Sequence, residues 1–165
     1  MGRCIEAINN ETKNMKHRIS AGALVFHNDQ ILLVNHVREG KYDFWVAPGG
    51  GVEEAESLAD AAVREVREES GLDIAVSRIA YIEELIQPSQ RECKFWFVGE
   101  LISGKLDASA LEASREFIVN ARFFSRSELA GKVVFPPIVS ERVWFDRADG
   151  FREPVHLGLR EMAFW

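Results

Sequence analysis

Cysteine is nearly absent. Cys4 and Cys93 are the two in 165 residues, and they form neither a CxxC pair nor a framework of bridges. A disulfide-stapled extracellular scaffold is thereby excluded, and two reduced thiols in a cytosol are expected. The four histidines, His17, His27, His36 and His156, show no HExxH or HxxxH spacing, so nothing points to zinc. No apolar run approaches the roughly 20 residues that a membrane-spanning helix needs. The N-terminus lacks the apolar core of a signal peptide. Met1-Gly2 opens like a myristoylation site, but Glu6 stands where Ser or Thr is required. A basic surplus is also missing: 20 Lys and Arg against 26 Asp and Glu leave a net charge of −6. That argues against a nucleic-acid-binding surface, although a bound metal would still let an acidic protein take a nucleotide. The expectation is a soluble, cytoplasmic protein with no nucleic-acid or membrane partner.

What is present suits one domain with a real core. The chain is long enough to bury one, and 47% hydrophobic with 28% charged residues is ordinary for a globular protein. Residues 1–17, polar and mixed, read as an N-terminal extension that packs little; 18–165 read as the domain. Ala21 to Phe26 and Ile31 to Val34, split by His27-Asn28-Asp29, predict a hairpin. Val37 to Asp43 reads as a charged loop, and Trp45 to Ala47 as a short strand before Pro48 and three glycines. Ile74 to Ile86, Cys93 to Ile102 and Val119 to Phe124 read as further strands, with Gly104 to Glu116 a long excursion between the last two. Ser125 to Leu129 suggests a helical turn. Ile138 to Arg147 has helical spacing, ended by Gly150. Strands on both sides of a central helix, with a late helix, imply an α/β fold with a mixed sheet covered on both faces.

The central helix is predicted over Leu58 to Ser70. Ser57 and Asp60 form a capping-box-like start, and Gly71 is a natural residue just past the end. Leu58, Ala59, Ala62, Val63 and Val66 make its apolar face, with Glu65 and Glu69 flanking it and Glu68 further round. Carboxylates three and four apart on one helix repel by a few tenths of a kcal/mol. A hard cation turns that cost into a binding site, because oxygen-rich clusters suit Mg²⁺, Mn²⁺ or Ca²⁺. The alternative is a solvated helix face rich in Glu and Arg. Arg64, four residues before Glu68, is placed to pair with it. Gly49, Gly50 and Gly51 lie just upstream, where backbone can approach a ligand. No GK[ST] follows, so this is no Walker loop.

The run from Gly50 to Leu72 closely resembles the signature of the Nudix hydrolase family. Gly50, Glu56, Arg64, Glu65, Val66, Glu68, Glu69, Gly71 and Leu72 fill its restricted positions without departure. Phe44-Trp45-Val46-Ala47-Pro48-Gly49-Gly50 resembles the family lead-in, with Ala47 where a larger aliphatic residue is common. The resemblance implies the Nudix α/β/α sandwich and divalent-metal-dependent hydrolysis of a pyrophosphate bond. It implies that Glu65, Glu68 and Glu69 hold Mg²⁺, with Mn²⁺ able to substitute, that the Gly50 carbonyl completes the shell, and that Glu56 is an accessory ligand or orienter. Arg64 becomes the planar fork that fixes a catalytic carboxylate. A general base outside the signature is expected at Glu116 or Glu112, before the late strand.

Substrate is less specified. The family's ADP-ribose hydrolases often carry a proline about sixteen residues after the signature, and Pro88 stands there. ADP-ribose or a nucleotide sugar is therefore the first expectation; nucleoside triphosphates and dinucleoside polyphosphates are the alternatives. Tyr42, Phe44 and Trp96 are candidates to stack on a base, and Arg18, Arg38 and Arg91 to meet phosphates. Each has an ordinary packing or surface role as its competitor. A non-catalytic nucleotide sensor is the reading from another class; such domains usually lose signature glutamates, which this chain keeps. The apolar tail from Phe151 to Trp165 either folds back over one face of the sheet or builds a homodimer.

Overall fold

A two-residue turn starts the fold. Strand β1 (Lys16–His27) passes into β2 (Gln30–Arg38) with Phe26 opposite Ile31 and His27 opposite Gln30. Asn28 and Asp29 between them hold positive φ, 47° and 57°. That left-handed pair matches the twist of a tight hairpin, and Asn and Asp tolerate it best among residues with side chains. The computed structural model describes residues 15–162. Residues 1–14, including Cys4 and most of the expected N-terminal extension, lie outside the described residues. Lys16 and His17 already belong to β1, opposite Gln90 and Arg91.

The chain continues through β3 (Tyr42–Val46), β4 (Gly49–Gly51), α1 (Leu58–Ser70), β5 (Leu72–Gln87) and β6 (Gln90–Gly104). Then come α2 (Leu111–Arg115), β7 (Ile118–Phe124), β8 (Val134–Phe135), α3 (Arg142–Ala148) and β9 (Val155–Glu161). The nine strands form one sheet in the order β8-β3-β2-β1-β6-β5-β9, with β4 added to β1 and β7 to β2. Strand β1 is parallel to β6, β5 to β9 and β3 to β8, and the remaining pairs are antiparallel. The sheet is mixed, as expected. It curls because β1 shares one edge between two partners, β4 at Ser20–Gly22 and β2 at Phe26–His27.

Alternating side chains feed two apolar layers. Leu24, Ile31 and Leu33 pack with Tyr81, Trp96 and Phe124 against Val139, Val143 and Phe151, beneath α3. Ala23, Val25 and Leu32 pack with Val66, Leu72 and Ile74 beneath α1. Helices therefore cover both faces. The Tyr81 hydroxyl donates to Asp146 of α3 at 2.5 Å, tying that helix to the sheet.

Four details depart from the sequence expectation. The loop expected over Val37 to Asp43 is shorter, because β2 runs to Arg38 and β3 begins at Tyr42. The Gly104-to-Glu116 excursion contains the short helix α2. The late helix splits into a 3₁₀ turn, Pro137–Ser140, and α3. The tail folds back on its own domain, but as an edge strand along β5 rather than a cover over a face. Parallel pairing satisfies its backbone groups where a covering loop would leave them bare. Phe164 and Trp165 lie outside the described residues.

Helix α1 has the expected bounds. Ser57 is extended (φ −76°, ψ 161°), and its hydroxyl accepts from the Asp60 N–H at 3.1 Å. At the far end Gly71, φ 74°, donates to the Arg67 carbonyl at 2.9 Å. Ser57→Ala removes one satisfied donor at the helix start, a loss of about 1 kcal/mol. The melting temperature should fall by roughly 2–4 °C in a domain of this size, with activity per folded molecule unchanged. Calorimetry checks this; an unshifted transition would show that the cap contributes nothing.

Candidate active site

One face of α1 is buried, and it carries charge. Ala61, Ala62, Glu65, Val66, Glu69 and Ser70 point inward, with Glu65 5% and Glu69 3% exposed. The expected flanking position for these two glutamates is therefore corrected: they lie within the buried face, while Leu58, Ala59 and Val63 are only partly covered. The reason is β4. Its three glycines bring bare backbone over the helix, and a side chain at Gly50 would overlap the Glu65 carboxylate. The Gly49 N–H donates to Glu69 Oε2 at 3.1 Å. On its other side a side chain at Gly49 would strike Gly22 and the Ala21 carbonyl. The glycines form a short strand paired with Ser20–Gly22.

Arg64 organises the carboxylates around it. Its Nε and Nη2 meet both oxygens of Glu56 at 3.1 and 2.7 Å. Its Nη1 meets Glu65 Oε1 at 2.9 Å and Glu68 Oε2 at 3.1 Å, and Nη2 also donates to the Gly51 carbonyl at 2.9 Å. The two-pronged partner of this planar fork is Glu56, and Glu68 receives a single bond. Glu56 additionally accepts the Glu53 N–H at 2.8 Å. Those hydrogen bonds, Arg64 first, hold the Glu56 carboxyl below its ordinary range. The same contact with Glu56 holds the Arg64 guanidinium above its own.

The inward carboxylates behave oppositely. Burial raises Glu65 against the opposing pull of Arg64. Burial raises Glu69 well above the ordinary value, and repulsion from Glu116 and Glu65 adds to it. Glu116, distant in sequence, thus acts on the same electrostatic cluster. The β2–β7 pairing brings it there, with the Val37 N–H donating to the Phe117 carbonyl at 3.0 Å. The side chain of Glu112 lies outside the described residues. Among the described residues, no three carboxylates, histidines or cysteines converge as a finished coordination shell. The donor chemistry nevertheless fits a hard divalent cation: every side-chain donor is oxygen, and two are buried anions whose repulsion a cation relieves.

Gly49, Gly50 and Glu116 open onto a cavity of about 300 Å³. Its floor comes from alternating residues of β5 and β6: Glu83 and Leu85, then Glu92, Lys94 and Trp96. One wall carries Phe44, Phe135 and His36, whose ring stacks on Phe44 at 5.2 Å and 7°. Burial lowers the His36 pKa to about 4, so it is neutral at physiological pH. Arg160 and Met162 close the far end.

The candidates chosen from sequence divide accordingly. Phe44, Trp96 and Arg18 line the cavity. Tyr42 instead packs on Phe44 at 5.3 Å, Arg38 lies over the Phe117 ring at 5.1 Å, and Arg91 pairs with Glu84. Lys94, Glu83, Glu92 and Arg160 escaped the sequence reading. For two of them the signal was present in β6, where Glu92 and Lys94 alternate in step with Trp96 and so charge one face of a central strand.

This arrangement of a glycine strand, a carboxylate helix and an adjoining cavity coincides with a family match. The NUDIX domain profile matches residues 16–145, and the chain belongs to that family. It is 33% identical over 90 residues to a Danio rerio protein named 8-oxo-dGDP phosphatase NUDT18, covering 54% of this chain and 27% of that one. It is 30% identical over 106 residues to Nudix hydrolase 2 of Arabidopsis thaliana, covering 62% and 38%. The match therefore spans well under half the length of these relatives. Among solved structures, a NUDIX hydrolase from Nitrosomonas europaea superposes with a TM-score of 0.68 at 25% identity, covering 81% of this chain and 90% of that one. An ADP-ribose pyrophosphatase from Streptococcus suis shares the fold, with a TM-score of 0.63 at 24% identity, covering 84% and 98%.

The raised carboxyls make a pH prediction for the metal-free protein. A group whose pKa is higher folded than unfolded contributes stability fully below its unfolded pKa and loses it as pH rises through the folded value. Stability in chelator should thus decline as pH climbs from the ordinary carboxylate range toward neutrality. Glu69→Gln should flatten that decline and blunt stabilisation by added Mg²⁺. Denaturant titrations across pH measure both effects; an unaltered slope in Glu69→Gln would remove Glu69 as the source.

Proposed function

We propose that the protein is a divalent-cation-dependent pyrophosphohydrolase acting on a nucleoside diphosphate linked to a second moiety, with ADP-ribose or a nucleotide sugar first. Water adds to one phosphorus, the bridging P–O bond breaks, and two phosphate esters leave. The observation that carries this reading is the mutually repelling set of buried Glu65 and Glu69 with exposed Glu116, beside a cavity with charged floor and aromatic wall. Glu65, Glu68 and Glu69, with the Gly50 carbonyl, would hold Mg²⁺ or Mn²⁺. Such a cation neutralises charge on phosphate oxygens and lowers the pKa of the attacking water.

The protein's own groups do the rest. Arg64 keeps the carboxylates in register, and Glu56, with both oxygens on Arg64, acts as its orienter. Glu116 lines the cavity and is the group proposed to accept the proton from water. Phe44, in the cavity wall, is the side chain proposed to meet a base. Support for ADP-ribose is Pro88, sixteen residues past Leu72, in the turn joining β5 to β6. A nucleoside diphosphate or triphosphate with a damaged base is the second reading, favoured by the identity with the Danio rerio protein named for 8-oxo-dGDP.

Glu68→Gln and Glu69→Gln should each lower kcat by on the order of 10² or more with the fold intact, because a charged ligand is lost where transition-state charge develops. Retention of more than half the rate would refute that residue's role. Chelator should abolish activity and millimolar Mg²⁺ restore it. The deciding experiment is a Mg²⁺-dependent panel of ADP-ribose, nucleotide sugars, dinucleoside polyphosphates, nucleoside triphosphates and 8-oxo-dGDP, with products identified by mass. Binding without turnover across the panel would instead establish a nucleotide sensor.

A further inference from the structure

Three cations line the cavity, and two of them face a carboxylate. Arg160 donates twice to Glu83, at 3.0 and 2.6 Å, and Arg18 stands 4.0 Å from Glu92. Lys94 is different. It is 9% exposed, and among the described residues no carboxylate lies within ion-pair distance of it. Its Nζ donates to the Gly49 carbonyl at 2.9 Å and sits 4.5 Å from the centre of the Trp96 ring. An ammonium carries three donors, so one carbonyl and one ring face leave it under-supplied. A buried charge without an ionic partner is costly to hold.

A second observation falls beside it. Ser20, the neighbour of Lys94 in the β1–β6 register, is fully buried, and its hydroxyl has no hydrogen-bond partner among the described residues. The floor at Lys94 thus carries an under-supplied ammonium, backed by the unsatisfied Ser20 hydroxyl of the adjoining strand. It also adjoins a strongly negative region. Glu69 and Glu116 repel one another there, and Lys94 reaches Glu69 by attraction across Gly49. A diphosphate entering the cavity would meet carboxylates first, and Lys94 is the cation not already committed to one.

We propose that Lys94 binds the substrate's diphosphate, holding a phosphoryl oxygen beside the helix carboxylates; this deepens the hydrolytic reading above and rests on it for the identity of the ligand. The competing role is a structural clamp, in which Lys94 fixes the Gly49 carbonyl and thereby aims the Gly49 N–H at Glu69. The two roles differ in what they require. A clamp needs a donor, which Gln retains; an anion site needs the charge, which Gln lacks.

The test compares wild type, Lys94→Gln and Lys94→Met. ADP and inorganic pyrophosphate binding is measured by calorimetry in chelator, and KM and kcat are measured with Mg²⁺ on the best substrate. Loss of a charge-assisted hydrogen bond predicts affinity reduced and KM raised by about 10-fold to 100-fold in both variants. kcat should change much less, and melting temperatures should stay close to wild type because a buried charge has been removed. Lys94→Arg should recover part of the affinity. Wild-type affinity and KM in Lys94→Gln would overturn the proposal, as would variants that lose melting temperature but keep affinity. The two readings separate cleanly. Turnover with KM indifferent to Lys94 sinks the anion site alone. Lys94-dependent ADP binding with no turnover of any substrate sinks hydrolysis and leaves the anion site standing.

Discussion

The guanidinium of Arg64 is the constraint on which the site depends. Left alone, the α1 carboxylates would turn toward solvent to escape one another. Arg64 opposes this by bonding Glu56, Glu65 and Glu68 and the Gly51 carbonyl from one planar group. Its bond to the Gly51 carbonyl fixes β4 to α1, and its pairing with Glu56 ties down the loop between them. A lysine would supply the charge without the fork, and the geometry would be lost.

Burial gives that arrangement its chemistry. In water, neighbouring carboxylates repel weakly; withdrawal of Glu65 and Glu69 from solvent itself raises both carboxyls, and repulsion adds to that. The glycines of β4 make the withdrawal possible, because backbone without side chains is the only cover thin enough to lie against Glu65. The strand therefore serves as a lid over charge as well as an edge of the sheet.

The cavity draws on parts of the chain far apart in sequence. Its floor is the β5–β6 hairpin, its aromatic wall comes from β2, β3 and β8, and its far end is closed by Arg160 and Met162. Those last two lie beyond residue 145, where the family match ends. The carboxylate helix and most of the cavity lining lie within the matched span, and Arg160 and Met162 are added from outside it.

Local order was legible in the residues themselves. Helix α1, its Ser57 start and Gly71 end, the Asn28-Asp29 hairpin and the carboxylate spacing all depend on contacts within a few positions, which periodicity and turn chemistry report directly. The signature placed Arg64 and its glutamates on one helix by the same logic. Tertiary structure decided the rest. It buried Glu65 and Glu69 rather than leaving them at the edge, because β4 closes over them. It gave the two-pronged contact to Glu56 rather than Glu68, since that choice depends on where a loop places a side chain eight residues away. It brought Glu116 to Glu69 through the β2–β7 pairing, and it set Lys94, Glu83 and Arg160 around one cavity through strand neighbours separated by tens of residues. Long-range pairing sets these distances, and no local pattern encodes them.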